Sequence, residues 1–227
     1  MLVKNWMSKG VITIDENDSM EHAVKYLRDH NIRMLPVMKK GKLVGIVTDR
    51  DIRSASASKA TSLEIHELAF IISRIKIKEI MTKDVITVPP DYTVEETAEI
   101  LLRNKIDGVP VVDHRGQTVG VITQSDLFKA IISLTGLLKG AIQFAFELED
   151  KPGSIKEVTD IIRKYKGRIS SILGSYENAK EGYRKVYIRA YDIDRSRLAS
   201  LKEELNRNAN VLYIVDHQEG KREIYRA

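Results

Sequence analysis

Two matched sets of residues carry the chain's most suggestive chemistry. Thr48 and Asp51 stand three apart in Gly45-Ile-Val-Thr48-Asp-Arg-Asp51, and Thr123 and Asp126 stand the same way in Gly120-Val-Ile-Thr123-Gln-Ser-Asp126. A carboxylate where a strand passes into a helix can accept two hydrogen bonds from a cis-diol, and such charge-assisted bonds are about twice as strong as neutral ones. The Thr hydroxyl can bond a sugar or phosphate oxygen, while helix N-terminal amides favour phosphate. Taken singly, the same residues also read structurally, since Asp commonly caps helices and Thr often ends strands. The sets are not equivalent. Arg50 offers a guanidinium where the second set has Ser125, and Arg33 is matched by Asp107, whose charge would repel phosphate. Arg33, Arg50 and Arg53 read equally well as solvated surface.

Other chemistries find little support. The five histidines, His22, His30, His66, His114 and His217, follow no metal-ligand spacing, and there is no cysteine. Neither a Walker A loop, a Gly-x-Gly-x-x-Gly nor a Gly-x-Ser-x-Gly elbow is present. We therefore expect no catalytic residue, no metal and no catalytic cofactor. The net charge of +5 is spread along the sequence, whereas a nucleic-acid binder concentrates its basic residues. The densest stretch, Lys39-Lys40-Gly41-Lys42, also reads as a hairpin turn. With 43% hydrophobic and 30% charged residues the composition is that of a globular protein. No apolar run reaches the roughly 18 residues of a membrane helix, and the N-terminus lacks a signal-peptide core. A cytoplasmic location is expected.

The elements that must position these residues are repeated too. Met7-Ser-Lys-Gly-Val-Ile-Thr-Ile14 and Met81-Thr-Lys-Asp-Val-Ile-Thr-Val88 share five of eight residues at an offset of 74. The offset persists through Leu35-Pro36-Val37 and Val109-Pro110-Val111, and one inserted residue then brings the Thr-x-x-Asp sets into line. Each copy predicts a short strand (Val11 to Ile14; Val85 to Val88) and a helix opened by a capping box, Asp18-x-x-Glu21 or Thr93-x-x-Glu96. Met20, Ala23, Val24 and Leu27 share the first helix's apolar face. A hairpin follows (Met34 to Met38 with Leu43 to Val47; Val109 to Val112 with Thr118 to Ile122), then a helix from about Asp51 or Asp126. Thr61-Ser-Leu-Glu64 predicts a linker helix over about 61–75. Units this small bury little alone, so the two are expected to share a core.

The Met-x-x-x-Val-Ile-Thr opening, the Pro in the strand and the Gly-h-h-Thr-x-x-Asp close (h, hydrophobic) make residues 1–135 resemble a tandem pair of CBS motifs, a Bateman module, with motifs at about 3–54 and 77–134. The resemblance implies a disc whose central cleft binds AMP, ADP, ATP or S-adenosylmethionine as a regulatory signal. On these residues, Thr48, Asp51, Thr123 and Asp126 would hold ribose. Pro36 and Pro110, with Met34 and Val109, would clamp adenine, backbone near Thr13 and Thr87 would read its edge, and Arg33 and Arg50 would meet phosphate. A purely structural dimerisation module is the alternative.

From Lys139 the pattern changes. Ile142, Phe144, Phe146 and Leu148 alternate as a half-buried strand. Asp150-Lys-Pro-Gly153 forms a turn, and Ser154 is placed to cap a helix with Ile155, Val158, Ile162 and Tyr165 on one face. Strands over Ile169 to Ser175 and Tyr183 to Tyr191, a helix through Leu198, Leu201 and Leu205, and a strand over Val211 to Val215 complete a βαββαβ order, the ferredoxin-like arrangement. Residues 141–217 resemble an ACT domain, leaving 218–227 as a tail. In that family the loop here formed by Asp150, Pro152, Gly153 and Ser154 lies where amino acids bind, at an interface between paired domains. The layout, a mixed α/β (α+β) chain with a CBS pair ahead of an ACT domain, resembles the bacterial acetoin-utilization family. It implies a cytoplasmic homodimeric regulator near carbon metabolism, acting on an unidentified target protein.

Overall fold

The computed structural model describes residues 1–59, 73–137 and 141–225. It divides into two compact units, Met1–Phe128 and Lys129–Ala227. The expected linker helix lies, through residue 72, outside the described residues.

In the first unit, strand β1 (Ile14–Asp15) leads to helix α1 (Met20–Asp29), an antiparallel hairpin of β2 (Met34–Lys39) and β3 (Lys42–Thr48), and helix α2 (Asp49–Lys59). Met20, Ala23 and Leu27 are buried at the spacing of one helical face, while Val24 is exposed, so the apolar stripe is narrower than the sequence implied. The cap also differs from expectation. Ser19 is the N-cap, its hydroxyl accepting from the His22 N–H at 3.3 Å, and Asp18 turns back to accept from the Asp15 N–H. The hairpin turns through Lys40 and Gly41, both at positive φ (48° and 78°), the pairing that matches strand twist in two-residue turns. β1 runs parallel to β2 through Ile14 and Val37.

The second repeat has the same parts. They are a short helix α3 (Ile77–Ile80), α4 (Val94–Asn104), the hairpin β4 (Gly108–Val112) and β5 (Thr118–Thr123), and α5 (Gln124–Thr135). The Thr93–Glu96 capping box is present in both directions, at 3.1 and 2.7 Å. Lys105 ends α4 in the left-handed region. The strand expected over Val85 to Val88 is reduced to a parallel bridge between Val88 and Val111.

The repeats complete each other by exchange. The Ser8 and Val121 backbones bond reciprocally (2.9 and 3.1 Å), and Thr82 and Ile46 do the same (both 2.9 Å). Val94 N–H donates to the Met1 carbonyl at 2.7 Å, and Met20 N–H donates to the Ile75 carbonyl at 2.8 Å. Each repeat's opening segment is thus docked on the other repeat, and neither closes its backbone bonding alone. Leu35, Val37, Val47 and Ile77 are fully buried in the first repeat's core.

The second unit is a five-stranded antiparallel sheet in the order β10-β9-β6-β8-β7. Its strands are β6 (Ile142–Glu149), β7 (Arg168–Ser175), β8 (Tyr183–Tyr191), β9 (Asn210–Asp216) and β10 (Lys221–Ile224). Helices α6 (Ser154–Lys164) and α7 (Leu198–Asn208) bury Val158, Ile162, Leu201 and Leu205 against Phe144, Phe146, Ile188 and Ile214. The first four strands in chain order give the βαββαβ split arrangement. Residues 221–224, read from sequence within a tail, extend the sheet as β10, pairing with β9 from Lys221↔Asp216 to Ile224↔Tyr213.

Candidate functional site

In the first repeat, hairpin register places Met34 opposite Thr48, and the Asp49 N–H donates to the Arg33 carbonyl at 3.1 Å. Arg33, Met34, Thr48, Arg50 and Asp51 therefore gather at one end of the β2–β3 hairpin, where α2 begins. The second repeat matches: Gly108 pairs with Thr123, and the Gln124 N–H donates to the Asp107 carbonyl at 2.9 Å. Pro36 and Pro110 lie further along the strands, opposite Ile46 and Val121, and both are buried. Val109 is buried, Met34 and Thr13 are half-buried, and Thr87, Arg33 and Arg50 are exposed. Thr13 and Thr87 immediately precede Ile14 and Val88, the residues that join the hairpin sheets.

The Thr-x-x-Asp sets prove to be internally bonded. Asp51 Oδ2 accepts from the Thr48 N–H at 2.8 Å and from the Thr48 hydroxyl at 2.7 Å, and the Asp51 N–H donates back to Thr48 Oγ1 at 3.3 Å. Asp126 Oδ2 accepts from the Thr123 N–H at 3.0 Å and its hydroxyl at 2.8 Å. Thr, not Asp, is the residue before the helix, and Asp closes a capping box from the third helical position. The [ST]-x-x-[DE] spacing that marks Thr93 and Glu96 was equally present here. Asp126 is 5% exposed, whereas Asp51 is half-buried. Each helix start is therefore satisfied while a carboxylate is held in a fixed orientation at the hairpin end. Arg53 is ion-paired with Asp49 at 3.0 Å across the helix surface.

The glycines of the repeated cassette have a separate role. A Cβ on Gly45 would press into Met81 Sδ and stand 3.1 Å from the Thr82 carbonyl, and a Cβ on Gly120 would meet Met7 and the Ser8 carbonyl in the same way. Met7 and Met81, whose recurrence marks the repeat, fill the space these glycines leave. Met34 differs from its partner position. A Cβ on Gly108 would stand 2.6 Å from Met34 Cε, so a large side chain in one repeat faces a missing one in the other.

In the second unit, the turn before α6 is tightly organised. Gly153 is the N-cap at φ 94°, and Ser154 is the first helical residue rather than the cap. The Ser154 hydroxyl donates to the Lys151 carbonyl at 3.1 Å. Asp150 lies 3.4 Å from Arg184, and its N–H donates to the Gly182 carbonyl at 2.8 Å. Asp150, Pro152 and Gly153 are exposed.

The family model for the CBS domain matches residues 3–58 and 77–133. A CBS domain-containing protein of Dictyostelium discoideum is 33% identical over 135 residues, which cover 59% of this chain and 93% of that protein. The chain is a CBS-domain protein. The structure of the CBS domain pair of protein MJ0100, solved in complex with 5-methylthioadenosine and S-adenosyl-L-methionine, superposes on this CBS pair with a TM-score of 0.50. It is 38% identical, over 58% of this chain and 99% of that one. The inosine-5'-monophosphate dehydrogenase of Korarchaeum cryptofilum is 38% identical over 125 residues, 55% of this chain, but the match spans only 23% of the dehydrogenase. Among the described residues there is no cluster of potential metal ligands, and no helix is long and apolar enough to cross a membrane.

Proposed function

We propose that the CBS pair is the sensing part of a non-catalytic regulator and binds the adenosine portion of AMP, ADP or ATP. The observation that carries this reading is the recurrence of an oriented Asp carboxylate at the end of each hairpin, Asp51 and Asp126. In this reading a ribose diol engages these carboxylates, adenine lies along the strands carrying Pro36 and Pro110, and Thr13 and Thr87 contribute backbone groups. Arg33 and Arg50 meet phosphate in the first repeat. The second repeat offers Asp107 and Ser125 instead and binds more weakly. S-Adenosylmethionine or methylthioadenosine is the second reading, favoured by the bound molecules in the 38% identical pair. Calorimetric titration of the full chain with AMP, ATP, S-adenosylmethionine and methylthioadenosine, each alone, separates the two. Heat from the phosphorylated ligands alone supports the first, heat from the sulfur compounds alone the second, and heat from none leaves a structural module.

The second unit is assigned in the same proposal to an ACT domain taking a second small-molecule signal, an amino acid, beside Asp150, Pro152, Gly153 and Ser154. Its support is the split βαβ order and the Asp-x-Pro-Gly turn. A homodimer near carbon metabolism, as in the acetoin-utilization family, with an unidentified target protein in the cytoplasm, completes the reading. A monomer in sedimentation equilibrium well above micromolar concentration would remove the dimer from it.

A further inference from the structure

We propose that the face of the C-terminal sheet turned away from α6 and α7, which meets the end of α5 where the Ser171 hydroxyl donates to the Thr135 carbonyl at 2.8 Å, carries a binding site for a small organic carboxylate, centred on Arg189. Inward residues Phe144, Ile188 and Ile214 meet the helices, so their strand neighbours point to the other side. Register then sets Arg222, Val215, Gln143 and Arg189 in one row across β10, β9, β6 and β8. The adjacent row holds Tyr213, Ala145 and Tyr187, with the two tyrosine rings 6.4 Å apart. His217 continues β9 beside them.

Arg189 is only 8% exposed. Its Nη2 donates to Gln143 Oε1 at 2.8 Å, but its Nη1 is buried without a hydrogen-bond partner among the described residues. His217 Nε2 is buried and unpartnered in the same sense. Carboxylates nearby are committed elsewhere. Asp216 takes the Arg195 guanidinium, and Glu147 takes Lys180 and Asn210. Burial draws the Arg189 pKa below the ordinary guanidinium value. Burial, then Arg189 and Arg222, draw His217 below the ordinary imidazole value against the opposing pull of Asp216. An unpaired buried charge is expensive, and a guanidinium with an unbonded N–H edge is shaped to accept a carboxylate.

Charge balance selects the ligand class. With His217 neutral, the buried part of the site holds a single positive charge, which a monoanion neutralises and a phosphate dianion over-compensates. The half-buried Tyr187, Tyr213 and Val215 supply the aromatic and apolar surface that an organic acid's body would cover. The site is independent of the adenosine reading and lies on a different part of the unit from the Asp150–Ser154 turn.

The test uses the full chain, with acetate, benzoate and inorganic phosphate compared against chloride at constant ionic strength. The readouts are the melting temperature and the NMR titration of the His217 ring. Acetate and benzoate are expected to raise both the melting temperature and the His217 pKa saturably, benzoate at lower concentration. Arg189→Met is expected to lose both responses while melting at least as high as the wild type in chloride, because it removes an unpaired buried charge. A His217 titration in the wild type that neither carboxylate moves saturably would overturn the site, whatever the variant does. Responses retained in Arg189→Met would overturn the role of Arg189, and a stronger response to phosphate would overturn the carboxylate assignment.

Discussion

The Asp51 carboxylate is bonded through Oδ2 to both the N–H and the hydroxyl of Thr48, at 2.8 and 2.7 Å, and Asp126 is bonded to Thr123 in the same manner. The residues proposed to hold ribose therefore also cap α2 and α5. A single substitution tests two roles at once, and the roles separate by choice of residue.

Asp51→Ala and Asp126→Ala should each lose on the order of 1 kcal/mol of stability from the broken cap. The double Ala variant should also lose about ten- to hundredfold in adenosine-ligand affinity, the usual worth of a charged hydrogen bond. Asn at either position keeps an oxygen for the Thr48 or Thr123 N–H, so stability should stay near wild type while affinity falls. Urea unfolding and titration calorimetry on the four single variants and the double Ala variant give both quantities. Wild-type affinity in the double Ala variant would reduce these residues to caps alone.

Gly45→Ala and Gly120→Ala probe the exchange between repeats. Each new methyl group meets a Met side chain that can move and a backbone carbonyl, of Thr82 or Ser8, that is held by a reciprocal pair of hydrogen bonds. Overpacking of this kind typically costs about 1–3 kcal/mol. Gly174→Ala is the control, since it lies in β7 with nothing within 4 Å of an added Cβ. Urea midpoints should fall for the first two and hold or rise for the third. Unchanged midpoints at Gly45 and Gly120 would mean that the openings of the repeats shift aside freely.

Much of this architecture was legible because hydrophobic periodicity repeats. The apolar runs around Leu35-Pro36-Val37 and Val109-Pro110-Val111, each followed by a turn and a second apolar run, gave both hairpins to within a residue or two, and the Phe144–Phe146 alternation gave β6. Local caps were less legible, because several polar residues compete at each helix start. Ser19 rather than Asp18 caps α1, and Gly153 rather than Ser154 precedes α6. β10 has no alternation to betray it. Its Lys221, Arg222 and Glu223 form a charged sheet edge, a composition that discourages further strand pairing. Arg189 and His217 carry no motif. Only strand register brings them beside Gln143 and Tyr213, so sequence reasoning did not reach them.

Gly153 poses the reverse problem from Gly45. Its φ of 94° lies where a side chain is strained, yet nothing stands within 4 Å of an added Cβ. Gly153→Ala should therefore destabilise through backbone conformation alone, by roughly 1–2 kcal/mol. A melting temperature equal to wild type would show that the turn relaxes without loss.

Asp216 gives the second unit an acid-sensitive contact. It is 3% exposed and ion-paired with Arg195. It also accepts from the Gln218 and Glu219 N–H groups at 3.0 and 3.2 Å. Burial alone raises its pKa, but the Arg195 hydrogen bond and these two N–H groups outweigh it, and the carboxyl sits below its ordinary value. A group depressed in the folded state favours folding wherever it is ionised in both states. Its contribution is thus fully present above the unfolded pKa of about 4 and fades as pH falls through the lower folded value. Asp216→Asn removes the charge while leaving an oxygen for the two N–H groups. Wild type should be the more stable at neutral pH, with the gap closing only below about pH 4. Urea midpoints of both proteins, followed from neutral pH down into that range, measure the gap. A gap independent of pH would assign the loss to packing around Arg195 rather than to the carboxylate charge.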